Sequence, residues 1–143
     1  MAHRPVLDDV DFSSISVEDA NWLDRPFEEE EVVGVINDFN GDKAPGPDGF
    51  FVAFFQSCYG VLKTEIMVVF HNFHTQAVFE KSLNASFLAL IPKKVDAVEV
   101  KDFQPISLVG GIYKIISKVL ANQLHRVAHG LISDSQNAFV KGR

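Results

Sequence analysis

Cysteine is close to absent from these 143 residues: Cys58 stands alone. That excludes an internal disulfide and a zinc site built on cysteines. No uninterrupted apolar run has the length of a bilayer span. Met1 to Val10 carries Asp8 and Asp9 where a secretory signal would have an apolar core. The expectation is an intracellular, reducing home, in nucleus or cytoplasm, with no membrane partner. Positive charge is scarce in the first third, where Arg4, Arg25 and Lys43 face thirteen acidic residues. From residue 51 onward ten basic residues face six acids, and most of the lysines stand from Lys93 on. An overall charge of −6 argues against a nucleic-acid partner, whereas the basic excess of the second part suits a phosphate backbone.

Other absences narrow the chemistry. No Gly-x-Ser-x-Gly elbow exists, and the loop Lys43-Ala44-Pro45-Gly46-Pro47-Asp48-Gly49 lacks the Gly-Lys-Ser/Thr ending of a phosphate-binding loop. His71 and His74 share a helical face at i, i+3, but no Cys, Asp or Glu stands beside them in sequence to complete a metal site. His125 and His129 have no glutamate between them. Both pairs read as surface histidines, and no metal site is expected.

What is present is mostly helical. Residues 1–26 form an acidic lead-in without strong periodicity, expected to be poorly ordered. Val32, Val35, Ile36 and Phe39 make the stripe of a helix whose first turn is crowded by Glu28 to Glu31, with Gly41 placed to end it. After the proline-glycine loop, Phe50, Phe51, Phe54 and Phe55 lead into a second helix. A third is expected over 61–75, with Leu62, Ile66, Val69, Phe70 and Phe73 inward. Phe87 to Ile91, closed by Pro92, reads as a strand, and Gln104 to Leu108 as its partner across a polar turn. Pro105 then implies an edge or a strand end. Gly111 precedes the longest helix, whose stripe is Ile112, Ile115, Ile116, Val119, Leu120, Leu124 and Val127. The fold class is α+β, mostly helical with a short two-stranded sheet.

Taken in order, several segments carry a likeness. They are Pro26-Phe27-Glu28-Glu29-Glu30-Glu31-Val32, the loop 43–49 with Phe50, Phe54-Phe55-Gln56, Ser82-Leu83-Asn84 and Leu90-Ile91-Pro92-Lys93-Lys94. Asp102-Phe103-Gln104-Pro105-Ile106-Ser107-Leu108, Tyr113-Lys114-Ile115, Lys118 to Leu124 and Gln136 to Arg143 follow. This series resembles the front of the reverse transcriptase domain of non-LTR (LINE-like) retrotransposons, in the style of plant elements. It runs from about Phe27 to Arg143.

The resemblance implies helices that precede the fingers and then the fingers themselves, with the palm missing. It implies that Lys93 or Lys94 approaches nucleotide phosphates or the template backbone. Gln104, Gln136, Phe139 and Arg143 would line the template and nucleotide pocket, with Lys101, Lys114 and Lys118 as further backbone contacts. The implied partner is RNA or an RNA–DNA duplex, bound weakly. The family's Mg2+-binding carboxylates, an Asp of a palm strand and a later Asp-Asp, have no counterpart in these residues, so no cofactor and no polymerisation are expected of this chain alone. Three positions depart from the family's pattern: Gln104 and Gln123 stand where arginine is usual, and Glu28 where threonine is usual. A second expectation comes from the residues alone: a small helical interaction protein, recruiting a protein partner through apolar surface around Phe50 to Phe73.

Overall fold

The computed structural model describes residues 14–128 and Leu131. Among them the order is α1 (Val17–Leu23), α2 (Glu29–Asp38), α3 (Val52–Gln76), β1 (Ser86–Pro92), a 3-10 turn (Val100–Asp102), β2 (Phe103–Val109) and α4 (Gly111–Ala128). The class is α+β with one two-stranded antiparallel sheet. The described residues divide into two compact units, one over Pro26–Ala121 and one that includes residues 14–25 and 122–128.

In the larger unit, α2 starts where the acids predict. Glu28 is its N-cap, and the Glu28 N–H donates to Glu31 Oε1 at 3.1 Å, one half of a capping box. The other end is closed from a distance. Gln56 Nε2 donates to the carbonyls of Ile36 and Phe39, both at 2.9 Å, satisfying groups that a helix C-terminus leaves open. Gly41 stands three residues past Asp38 and serves a different end from the expected cap. A Cβ there would sit 2.9 Å from Gln56 Oε1 and 3.1 Å from Ala53 Cβ, so its bare backbone admits α3.

Two helices were expected between residues 50 and 75, and the structure has one of 25 residues. Gly60 is exposed with open space around it. A lone helical glycine costs only about 1 kcal/mol relative to alanine, too little to break the run. By length and composition α3 also passes as a bilayer span, contrary to the expectation from uninterrupted apolar runs. Lys63 and Glu65 stand near its middle, however, and Phe55, Ile66 and Phe70 are committed to the core. Lys63 Nζ is also tied to Glu29 of α2 at 3.1 Å. The helix belongs to this core. Its far end is closed by Ala77 in the left-handed region (φ 51°), whose N–H donates to Phe73 O.

The core gathers Val32, Val35 and Ile36 of α2, Phe55, Ile66 and Phe70 of α3, and Ile115, Ile116 and Val119 of α4. Phe27 meets Phe70 edge-on at 5.0 Å, and Phe73, Phe79 and Tyr113 extend the aromatic contacts. One buried polar atom, the Tyr59 hydroxyl, has no hydrogen-bond partner among the described residues. Burial pushes that phenol's pKa up.

In the smaller unit, Ser16 caps α1 by accepting the Asp19 N–H at 3.0 Å. This short helix lies inside the acidic lead-in, where periodicity marked nothing. Trp22 carries two guanidinium groups, Arg126 at 4.1 Å and Arg25 at 4.8 Å from its ring centre. Near the end of α4 the expected stripe is corrected. Leu124 is 57% exposed and Gln123 only 4%.

Candidate nucleic-acid interface

The hairpin pairs Ser86 with Val109 at one end and Pro92 with Phe103 at the other. Alternation along the strands puts Phe87, Ala89, Ile91, Gln104, Ile106 and Leu108 on one face. Leu88, Leu90, Phe103, Pro105 and Ser107 lie on the other. Apolar side chains are exposed on both: Phe87 and Ile91 on the first, Leu88 (67%) and Leu90 (53%) on the second. Pro105 lies mid-strand on an edge, since β2 has no neighbour but β1 among the described residues.

Lys93, Lys94 and Lys101 meet at the loop end of this hairpin, in the connection 93–102, and Asp102 organises them. Its Oδ1 accepts from Lys94 Nζ at 2.7 Å. Its Oδ2 accepts the N–H groups of Val98 (3.3 Å) and Glu99 (3.2 Å). The Asp102 carbonyl accepts the Lys93 N–H at 2.8 Å, which closes the loop onto the strands. Lys93 Nζ donates to Lys101 O at 3.3 Å, and Lys101 pairs with Glu99 at 2.6 Å. The Lys101–Glu99 pair is solvent-exposed and contributes little. The Lys94–Asp102 pair joins a largely buried carboxylate that also holds two backbone donors.

The Lys94 ammonium holds the Asp102 carboxyl below the ordinary carboxylate range. Burial opposes this, and the backbone donors of Glu99 and Val98 reinforce it. A folded-state pKa below the unfolded one contributes stability that is present above the unfolded value of 3.8. That stability disappears as pH falls through the still lower folded value. Protection of the Val98 and Glu99 amides against hydrogen exchange is therefore expected to persist from neutral pH to the ordinary carboxylate value and to be lost below it. Asp102→Ala, which removes both side-chain oxygens, is expected to expose both amides at every pH.

The remaining predicted residues divide. Gln104 is exposed on β2, opposite Ile91, and lies on the same hairpin as the lysine cluster. Lys118 is exposed on α4. Lys114 is committed elsewhere: its Nζ donates to Ala44 O at 2.6 Å, fastening the proline-glycine loop to α4. Gln136, Phe139 and Arg143 lie outside the described residues. Among the described residues no three His, Cys, Asp or Glu side chains gather in a way that would hold a metal ion.

Asp48 is the organising residue that the sequence pattern did not single out. Its Oδ1 accepts the Phe50 N–H at 3.3 Å, the local turn that Pro-Asp-Gly suggests. Its Oδ2 accepts the Gly111 N–H at 2.5 Å, capping α4 from sixty-three residues away. Gly46 packs so closely on the Val109–Gly110 backbone that a Cβ there would lie 2.3 Å from Val109 C. The loop thus fixes the point where β2 passes into α4 and so aims the hairpin. Beside it opens an apolar cleft of about 360 Å³ lined by Phe50, Phe54, Phe55, Leu62 and Ile66, with Asp48 and Glu65 also in its wall.

Over 126 residues, 85% of this chain, the sequence is 32% identical to the "Transposon TX1 uncharacterized 149 kDa protein" of Xenopus laevis. The match spans 9% of that protein's length. No family model matches. The likeness supports a transposon-derived protein.

Proposed function

We propose that the chain derives from the front of a non-LTR retrotransposon reverse transcriptase domain, of plant LINE-like type. In this reading it retains weak RNA or RNA–DNA binding and does not polymerise by itself. The observation that carries the reading is the ordered series of motifs from Phe27 to Arg143, and the likeness to a transposon protein supports it. The antiparallel hairpin with three lysines in its connection suits the binding half. Lysine ammonium groups at an exposed turn neutralise phosphate without reading bases, so affinity should be salt-dependent and insensitive to sequence. Binding sites on this reading are Lys93, Lys94, Lys101 and Lys118, with Gln104 in place of a fixed charge. Lys114 contributes through the loop it holds. Polymerisation needs carboxylates that bind Mg2+ ions, and these 143 residues supply no Asp-Asp pair on the hairpin or beside it.

The test is titration of labelled single-stranded RNA at low and at moderate salt. The expected result is weak binding whose affinity falls by about tenfold or more as salt rises, with Lys93→Ala and Lys118→Ala each reducing the salt slope by about 0.7. Binding absent at low salt overturns the nucleic-acid half. Extension of a primer by the purified chain overturns the inactive half. The second reading, a helical interaction module without a nucleic-acid role, draws on the apolar cleft at Phe50 to Phe55. It gains if RNA binding is absent while the chain melts cooperatively.

A further inference from the structure

We infer that β1 is a self-association edge: two copies of this chain pair antiparallel through β1, giving a four-stranded sheet in the order β2-β1-β1-β2. The first observation is that β1 has one neighbour, β2, so its other edge meets no strand among the described residues. An unpaired edge presents a row of backbone donors and acceptors. Proteins usually blunt such an edge with charge, proline or a bulge. Ser86–Pro92 has no charge, and its proline stands only at the last position. The side chains of Phe87, Leu88, Leu90 and Ile91 are all exposed, so neither face of the ribbon obstructs an approaching strand.

What selects a second copy as the occupant is the order of sizes along the strand. Phe87-Leu88-Ala89-Leu90-Ile91 is nearly symmetric about Ala89. Antiparallel pairing with a two-fold axis at Ala89 sets Leu88 opposite the other copy's Leu90, and Phe87 opposite its Ile91. The small Ala89 side chains meet at the axis. Aromatic–β-branched and aliphatic pairs directly opposite one another are the favourable cross-strand pairs, and each occurs twice by symmetry. In this register Lys93 and Lys94 fall opposite Ala85 and Asn84 of the other copy, so no like charges confront each other. The assembly is also finite. Both outer edges of the resulting sheet are β2 strands carrying Pro105, which lacks the donor a further strand would need.

The test is sedimentation equilibrium of the full chain from micromolar to submillimolar concentration, with amide exchange of β1 followed over the same range. The expected result is a monomer–dimer equilibrium in which the β1 amides become protected as the dimer forms. The double variant Leu88→Lys, Leu90→Lys sets ammonium opposite ammonium across the axis. It should weaken the dimer by about tenfold or more with helical circular dichroism unchanged, since both positions are exposed. Ile106→Lys changes an exposed apolar residue of the same hairpin away from the β1 edge and should leave the dimer intact. A chain that stays monomeric throughout overturns the inference. So does a dimer whose β1 amides exchange as in the monomer, or one that Ile106→Lys weakens as much as the double variant.

Discussion

Gly46→Ala is expected to destabilise the fold by about 3 kcal/mol or more, at or beyond the upper end of ordinary overpacking. The new methyl would stand 2.3 Å from Val109 C and 2.5 Å from both Val109 O and Gly110 N. All three are backbone atoms, so no rotamer change relieves the overlap. Relief requires separating the loop from the β2–α4 junction. That movement draws Asp48 away from the Gly111 N–H and Lys114 away from Ala44 O. The contrast lies on α2, where a Cβ at Gly34 meets nothing within 4 Å. Gly34→Ala should stabilise by up to about 1 kcal/mol, since alanine replaces the poorest non-proline helix former at an open site. Denaturant unfolding of the two variants should therefore move in opposite directions. A Gly46→Ala midpoint within error of the parent would mean that the loop does not hold the junction.

The proline-glycine loop also shows how far the sequence could be read. Its local chemistry was legible: two prolines and two glycines exclude helix and strand. Its tertiary task was not, because Gly46 and Asp48 act on residues more than sixty positions away. Only Gly49, at φ 74°, needs glycine for conformation, while Gly46 needs it for space. The hairpin was legible for a different reason. Pro92 closes one strand, Pro105 marks the other as an edge, and the polar stretch between them has the composition of a turn. Asp102 escaped notice because a carboxylate in a loop looks solvated until its donors, at Val98, Glu99 and Lys94, are placed around it.

The two differences in the helices have one cause: burial follows helix geometry and not apolarity alone. The phenylalanines at 50–55 and the stripe from Leu62 to Phe73 read as two helices, yet α3 runs through because Phe55 in its first half and Ile66 and Phe70 in its second join the same core. On α4, apolarity alone selects Leu124 as the inward residue. The helical period from Val119 passes through Gln123 at i+4 and reaches Val127 at i+8, and the buried set follows the period. The arginine that the resemblance implies for this position would be a guanidinium at a site that is 4% exposed here. The glutamine at this position therefore bears on packing.

Phe70→Ala is expected to cost about 3–5 kcal/mol, the range for removing a fully buried aromatic ring. Phe70 is 0% exposed, the largest of the fully buried side chains among the described residues. It belongs to the cluster that joins α2, α3 and α4, and Phe27 packs edge-on against it. The cavity should not collapse cheaply, because Ile36, Ile115 and Ile116 are themselves fully buried and stiff at their first torsion. For a domain whose total stability is about 5–15 kcal/mol, such a loss approaches global unfolding. Val68→Ala, two residues away on the outer face of the same helix, should change stability by no more than about 0.5 kcal/mol. Unfolding curves for the pair separate two views of α3. If its packing is as described, only Phe70→Ala lowers the midpoint steeply. If the helix instead relied on its outer face, as a bilayer span would, the two substitutions would weaken it comparably in aqueous buffer, and the core described above would not be what stabilises the chain.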